Sequence, residues 1–441
     1  MPKLLIIQAA TYRSETDRRP MRIKKRRLVG VIMPYLAALA PQDWDIKLHD
    51  DAISEPPYDE HFDVVAITCR TVSAYRAYEM AEKFRARGAK VLLGGPHATF
   101  NTAEMVEHCD ALCVGEGEEI FTEALLDAAA GRLKQIYRRD TSASLVGLPK
   151  PRWDLVDMRN YVFYRPFVIQ HSRGCPYTCD FCAERRLLGD YGYRDRPAEE
   201  VVEDIKLCGG KHIFFAASQF VGHKGRCMDL LEKMIPLKVH WSALFSPRFG
   251  LDEKFLDLAK RSGLLHVNMG IESISQGTLT TMHKSVNHVD TYREMIRNLN
   301  KRNISYSFNF VIGADTDTPD VFDETVKFLM EMKVPAAYFN VMVPMRGTPL
   351  YDRAKQDGRI IDEENMDRWA GVKCYMKPMN MTSDDLVKGV KRMQKQFYSL
   401  PKVLGRLRFP PRSYADFANW EVCLSQRAVA DSEIMNEFSE F

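Results

Sequence analysis

The sequence predicts an α/β protein in three parts: a flavodoxin-like, doubly wound parallel sheet, then a partial (β/α)6 barrel, then a mostly helical C-terminal tail. Two stretches of alternation carry this. Short apolar runs alternate with amphipathic segments through about residue 145 and again from 166 to about 375, the pattern of parallel strands joined by crossover helices. Between them Pro149, Pro151 and Arg152-Trp153-Asp154 break the periodicity. The expected bounds are 1–145 for the first domain, 146–165 for a linker, 166–375 for the barrel and 376–441 for a helical extension capping the barrel mouth.

In the first domain, strands are expected over 4–7, 45–49, 64–68, 90–93 and 111–114. Ala77, Met80, Ala81 and Phe84 fall at i, i+3, i+4 and i+7, which marks a helix capped by Gly88. Ligands in this architecture bind beyond the carboxyl ends of the strands. Thr68 ends the third strand, Gly94-Gly95-Pro96-His97 follows the fourth, and Gly115-Glu116-Gly117-Glu118 follows the fifth. These glycines either let backbone approach a flat, bulky cofactor or only form tight strand-to-helix turns.

The loop after the first strand holds eight Lys or Arg residues between Arg13 and Arg27 against Glu15 and Asp17, a local net of +6. It reads as a solvated face, or as a contact for an anionic substrate, an acidic partner or a peripheral membrane surface.

Barrel strands are expected over 167–171, 212–216, 240–245, 266–270, 305–312 and 337–343, with helices over 198–207 and 318–332. Six βα units are too few for a closed eightfold barrel, and the chemistry belongs at the carboxyl ends of the strands. The first such end carries Cys175, Cys179 and Cys182 in a CxxxCxxC pattern. A cubane [4Fe-4S] cluster normally takes four thiolates, so three suggest a cluster with one iron open. The uneven spacing does not match the paired knuckles of structural zinc. Gly174 and Pro176 let the backbone fold tightly round a compact guest.

The 441-residue chain is 45% hydrophobic and 27% charged with a net charge of +3, so no overall field points to nucleic acid. Outside the motif the cysteines are irregularly spaced, as for thiols in a reducing compartment. The first residues, Met-Pro-Lys-Leu-Leu-Ile-Ile, reverse the order of a signal peptide. The apolar stretch 29–41 falls short of the ~20 residues that span a bilayer. A cytoplasmic location is expected.

The CxxxCxxC loop, with Phe181 before the last cysteine, resembles the radical S-adenosylmethionine (SAM) superfamily. Comparable segments recur at 213–220, Gly270-Ile271-Glu272-Ser273, Gly313-Ala314-Asp315 and Gly347-Thr348-Pro349-Leu350-Tyr351. The first domain resembles the Rossmann-like, cobalamin (vitamin B12)-binding-type domain of one subgroup, through residues 93–99 and 114–118. That subgroup includes anaerobic porphyrin-ring cyclases, hopanoid-modifying enzymes and methyltransferases. Its DxHxxG motif, whose histidine ligates cobalt, is absent: His49 is followed by Asp50-Asp51 and His97 lies in a Gly-Gly-Pro-His turn. Members without the motif bind cobalamin without a histidine ligand or have lost it, so cobalamin stands as an optional cofactor.

The resemblance implies that Cys175, Cys179 and Cys182 hold three irons while SAM chelates the fourth, and that reductive cleavage gives methionine and a 5′-deoxyadenosyl radical. It places Phe181 against the adenine, and Ser218 and Gln219 near the SAM amino group, although the acidic residues common there are missing. Arg248 pairs with the SAM carboxylate or makes a surface ion pair, and Glu272 accepts from the ribose hydroxyls or caps a helix. Thr68, Gly94, Gly95, His97, Gly115, Glu116 and Gly117 form the cobalamin-type site. Tyr338, Phe339, Met342 and Met345 supply an apolar wall or belong to the core. No side chain is assigned to catalysis beyond the cluster.

The implied activity is functionalisation of an unactivated carbon in a small-molecule or lipid-like substrate, by cobalamin-dependent methyl transfer or by rearrangement or cyclisation. A low-potential donor such as flavodoxin or ferredoxin would supply the electron. A non-catalytic iron-sulfur protein for electron transfer or redox sensing is the alternative from another class, and an RNA-modifying radical SAM enzyme is a further one.

Overall fold

The computed structural model describes residues 1–139, 141–187, 192–366, 368–369 and 373–430, so residues 431–441 of the expected helical extension lie outside it. The chain divides into two compact units. One comprises Met1–Gln170, Arg185–Tyr191 and Glu203–Gly210; the other comprises His171–Glu184, Gly192–Val202 and Lys211–Phe441.

The first sheet has six parallel strands: β1 (Lys3–Gln8), β2 (Asp45–Asp50), β3 (Val64–Thr68), β4 (Lys90–Gly94), β5 (Ala111–Val114) and β6 (Ile136–Arg138). Their order is β2-β1-β3-β4-β5-β6, the flavodoxin-like order with one strand added. Side chains alternate across a strand, and here both faces are apolar. Leu5, Ile7, Val65, Ile67, Val91 and Leu93 share a core with helix α2 (Ala74–Arg85). Leu4, Ile6, Val64, Ala66 and Leu92 pack with helices α1 (Ile32–Leu39) and α3 (Ile120–Ala129). Strand β6 is additional to the expected five; only Tyr137 of its three residues points inward, so it leaves no apolar run.

Much of the charge of the basic loop is met within this unit. Arg22 pairs with Asp51 and Glu55, buried Arg26 with Asp50, and Arg13 and Arg19 with Asp17. The acids at the end of β2 fold the loop down onto the domain.

The second sheet contains β7 (Phe167–Ile169), β8 (His212–Phe215), β9 (His240–Leu244), β10 (Leu264–Glu272), β11 (Ser305–Ile312) and β12 (Ala336–Val341). Its order is β12-β11-β10-β9-β8-β7, the open sheet of a partial barrel. Helices form at Ala198–Cys208 and Val321–Glu331. Val267, Met269 and Ile271 of β10 are buried on one face, while His266, Asn268, Gly270 and Glu272 share the other. The same parity splits Tyr338 from Phe339, so the four-residue apolar wall does not form as one surface. Phe339 meets Phe397 edge-on at 5.9 Å, and Met342 joins a cluster with Met282, Leu350 and Met376.

The tail forms helices α4 (Ser383–Phe397), α5 (Leu400–Arg406) and α6 (Tyr414–Ala430). The start of the tail reaches the expected mouth: Leu386 of α4 packs against Gly313 just past β11, and Asn380 donates to Asp315 O at 2.9 Å. Helices α5 and α6 instead contact the amino ends of the barrel strands. Asn419 accepts from Ser305, the first residue of β11, at 2.6 Å; Tyr414 lies against His240, the first of β9; and Tyr398 Oη donates to Ala337 O at 2.7 Å. No helix among the described residues is long and apolar enough to cross a membrane.

Candidate functional site

The cysteine loop leaves Ser172–Arg173, which pairs antiparallel with Arg194–Asp195. Gly174 has φ +87°, and a Cβ there would lie 2.0 Å from Gly192 O, so the turn into Cys175 needs glycine. Three backbone bonds then hold the loop: Cys182 N to Cys179 O, Asp180 N to Met282 O, and Leu350 N to Asp180 O at 3.1 Å. Buried Asp180 also pairs with Arg353. Thr348 caps the helix Pro349–Gln356 that carries Leu350 and Arg353, which gives the Gly-Thr-Pro-Leu-Tyr segment its task of anchoring the loop. Burial raises the pKa of all three thiols, that of Cys182 to about 11.

Opposing that rise is Lys284, which sequence reasoning missed. Its Nζ lies 2.8 Å from Glu272 Oε1 and 6.0 Å from the centre of the Phe181 ring. Burial works against the lysine charge, but the Glu272 carboxylate and the sulfurs of Cys179 and Cys182 outweigh it and hold its pKa above the ordinary lysine value. Glu272 itself sits at φ +64°, where the β10–β11 register shifts between Gly270 and Glu272. Asn287 Nδ2 fixes this bulge by donating to Gly270 O at 2.8 Å and Ile271 O at 2.9 Å. A Cβ on Gly270 would lie 2.3 Å from Glu272 Oε1, so glycine makes room for the ion pair.

Arg248, after β9, lies over Tyr177 of the cysteine loop with its guanidinium carbon 5.7 Å from the ring centre. Ser218, after β8, hydrogen-bonds the carboxyl of Glu184, whose pKa burial raises. Glu184 stands two residues past Cys182 and is a second carboxylate that sequence reasoning overlooked. Gln219 is buried and accepts from Ser246 N at 3.1 Å, tying the loops after β8 and β9 together. Phe181, Arg248, Glu272 and Lys284 thus gather round the cysteine loop, with Ser218 beside Glu184, while Gln219 is engaged behind it.

In the first unit, Thr68 and Gly94 are register partners at the ends of β3 and β4. Gly95 has φ +99°, and a Cβ there would come within 2.6 Å of Cys69 O and 2.9 Å of Thr68 Oγ1. Gly115 also takes positive φ, but a Cβ there would meet nothing within 4 Å, and Gly117 faces Leu36. Glu116 accepts from Ala143 N at 2.8 Å. His97 is fully buried: Nδ1 lies 3.2 Å from Thr71 Oγ1 and 3.0 Å from Asn101 Nδ2, and Nε2 lies 3.0 Å from Tyr78 Oη. His49 Nε2 contacts Ser54 O at 3.0 Å.

Among the described residues no three His, Cys, Asp or Glu side chains converge as ligands of a single ion do. A cubane asks for something different, since each thiolate takes its own iron and the ligands stand apart round the cluster. Soft thiolates on one clamped loop, with the half-buried cation of Lys284 to balance their charge, fit that guest. After β5, Gly115 leaves open space that a flat macrocycle could approach, whereas Gly95 after β4 is required by its own tight turn against Cys69 O and Thr68. With His97 enclosed and His49 engaged, neither histidine is available to ligate cobalt.

Comparison with known proteins agrees. The profile described as the radical SAM superfamily matches residues 169–329, and that of the B12 binding domain matches residues 34–125. The chain is 27% identical over 398 residues to the bacteriochlorophyllide d C-12(1)-methyltransferase of Chlorobaculum tepidum, covering 87% of this chain and 86% of that protein. It is 26% identical over 373 residues to the anaerobic magnesium-protoporphyrin IX monomethyl ester cyclase of Cereibacter sphaeroides, covering 76% and 60%. The solved structure of the radical SAM methyltransferase TsrM from Kitasatospora setae superposes with a TM-score of 0.69 at 17% identity, over 98% of this chain and 95% of that one, which establishes the shared fold. With a clamped three-cysteine loop on one sheet and a doubly wound B12-binding domain before it, the chain is a radical SAM superfamily enzyme whose implied cofactors are a [4Fe-4S] cluster, SAM and cobalamin.

Proposed function

We propose that the enzyme methylates an unactivated carbon of a small organic substrate, with SAM cleaved at a cluster held by Cys175, Cys179 and Cys182. The observation that carries this is the gathering of Phe181, Arg248, Glu272 and Lys284 round the cysteine loop at the carboxyl end of an open parallel sheet. When bound, the reduced cluster supplies the electron that breaks the sulfonium bond, and cobalamin carries the methyl group. A low-potential flavodoxin or ferredoxin is the donor.

The side chains divide the binding of SAM among them. Lys284 and Arg248 offer cations for its carboxylate. Glu272, held in place by Lys284 and Asn287, accepts from the ribose hydroxyls, and Phe181 packs against the adenine. Glu184 with Ser218 faces the ammonium and takes the place of the acids missing from the end of β8. Gln219 positions that loop. Gly94, Gly95, Gly115 and Gly117, with Thr68 and Glu116, form the corrin-binding face without a ligand from His97. Methylation is favoured over cyclisation because two bacteriochlorophyllide d methyltransferases are matched over 86% and 89% of their lengths, against 60–74% for three cyclases.

Anaerobic reconstitution with iron, sulfide and cobalamin, followed by reduction with SAM, tests this. The expected products are 5′-deoxyadenosine and S-adenosylhomocysteine. Iron-replete protein that makes no 5′-deoxyadenosine overturns the radical assignment. Protein that cleaves SAM yet retains no corrinoid under saturating cobalamin overturns the methyl transfer and leaves cyclisation or rearrangement.

A further inference from the structure

The exposed apolar side chains of the second unit concentrate at its C-terminal helices. Leu400 and Leu404, one turn apart on α5, are exposed, as are Phe409 (73%), Phe417 (59%) and Leu424 (52%). Phe409 meets Trp420 edge-on at 5.8 Å, and Trp420 Nε1 donates to Arg408 O at 2.9 Å. Phe417, Trp420 and Leu424 then follow at helical spacing along α6. Large aromatic and aliphatic side chains left together at a surface mark a contact.

The charge around this patch points to the partner. From Lys391 to Arg412 the sequence holds seven basic residues and no acid, three of them on the neighbouring α4. Helix α6 adds Arg427 against Asp416 and Glu421, so the region stays net positive. Arg406 is buried; Lys391, Arg392, Lys395, Lys402, Arg408 and Arg412 reach the surface, and Arg392 has Asp323 as a neighbour at 3.9 Å. Exposed aromatic and leucine side chains among clustered cations are the composition of a surface that lies in the interfacial layer of an anionic bilayer. A second copy is disfavoured, because an isologous dimer through this patch would set the basic cluster against itself. The loop Arg13–Arg27, which sequence alone offered for such a contact, has several of its arginines paired with acids of its own unit.

We propose that α5, α6 and the turn between them form a peripheral docking surface for anionic phospholipid. The helices lie at the amino ends of the barrel strands, so docking leaves the cysteine loop at the opposite ends free. The inference does not depend on the reaction catalysed.

Flotation of the full-length protein with vesicles of phosphatidylcholine containing about one-third phosphatidylglycerol tests it. Binding is expected to the mixed vesicles and to drop at least about fivefold for pure phosphatidylcholine, in high salt, and for the triple variant Phe409→Ser, Phe417→Ser, Leu424→Ser. All three residues are exposed, so unchanged iron loading and circular dichroism verify the fold. Trp420 emission is expected to shift to the blue on binding, a change lost in Trp420→Phe. No binding by the wild-type chain, or equal binding by the triple variant, overturns the proposal. So does a dimer by light scattering that the triple variant dissociates while the wild type ignores vesicles.

Discussion

Lys284 Nζ donates to Glu272 Oε1 at 2.8 Å while Glu272 holds a left-handed backbone at φ +64°. A non-glycine residue there costs on the order of 1–2 kcal/mol, sustained by the two bonds from Asn287. Removing one partner of a buried pair leaves the other charge uncompensated, at roughly 3 kcal/mol of stability. Lys284→Met is therefore expected to destabilise the protein. It should also weaken SAM binding by about tenfold or more, the worth of one charge-assisted hydrogen bond. Lys284→Arg should recover most of both. Calorimetric titration of reconstituted protein checks this, and unchanged affinity in Lys284→Met would remove the lysine from the SAM site.

Iron content probes the loop itself. Cys179→Ala is expected to abolish cluster loading, and Gly174→Ala to reduce it severely, because the new Cβ would press on Gly192 O at 2.0 Å. Cys374→Ala should load normally, since its thiol only donates to Met376 O, two residues along. Iron and sulfide per chain after anaerobic reconstitution decide it. Full loading in Gly174→Ala would show that the turn can relax.

What the sequence revealed depended on how local each signal was. The strands of the first domain were legible because Leu4 to Ile7 and Val64 to Ile67 are buried on both faces and read as unbroken apolar runs. The three cysteines were legible because the loop is contiguous. Lys284 was not, since a lysine twelve residues past Glu272 resembles any surface lysine until the bulge at Gly270 turns the carboxylate towards it. Glu184 lay close enough to Cys182 to have been suspected. The split of Tyr338 from Phe339 followed from strand parity alone. The docking of α6 on Ser305 and His240 joins residues more than a hundred positions apart, and no pattern along the chain announces it.

His97 gives a prediction about cobalt. Its ring nitrogens face Thr71, Asn101 and Tyr78 inside the first unit, so reaching a corrin would require breaking that buried network. Protein loaded with cobalamin and reduced to the cobalt(II) state is expected to show no nitrogen hyperfine splitting from a protein histidine, and His97→Gln should leave that spectrum unchanged. Histidine splitting that disappears in His97→Gln would reverse the assignment.

The last prediction concerns pH. His171 and His266 are each lowered from 6.5 to about 4 by burial. His171 is engaged by Phe220 O, and His266 lies between the hydroxyls of Ser305 and Ser307. Between 6.5 and about 4 the unfolded chain takes up protons on these rings while the folded chain does not, so stability rises with pH across that window and is fully present above it. Each ring contributes up to about 1.4 kcal/mol per pH unit there, so lowering the pH from neutrality to about 5.5 should cost the apo-protein about 2.5 kcal/mol from the pair. Urea unfolding at the two pH values measures it. His266→Gln, which keeps a hydrogen-bonding side chain but no titrating ring, should remove about 1.3 kcal/mol of the difference between the two pH values; an unchanged difference would mean that His266 already carries its proton in the fold.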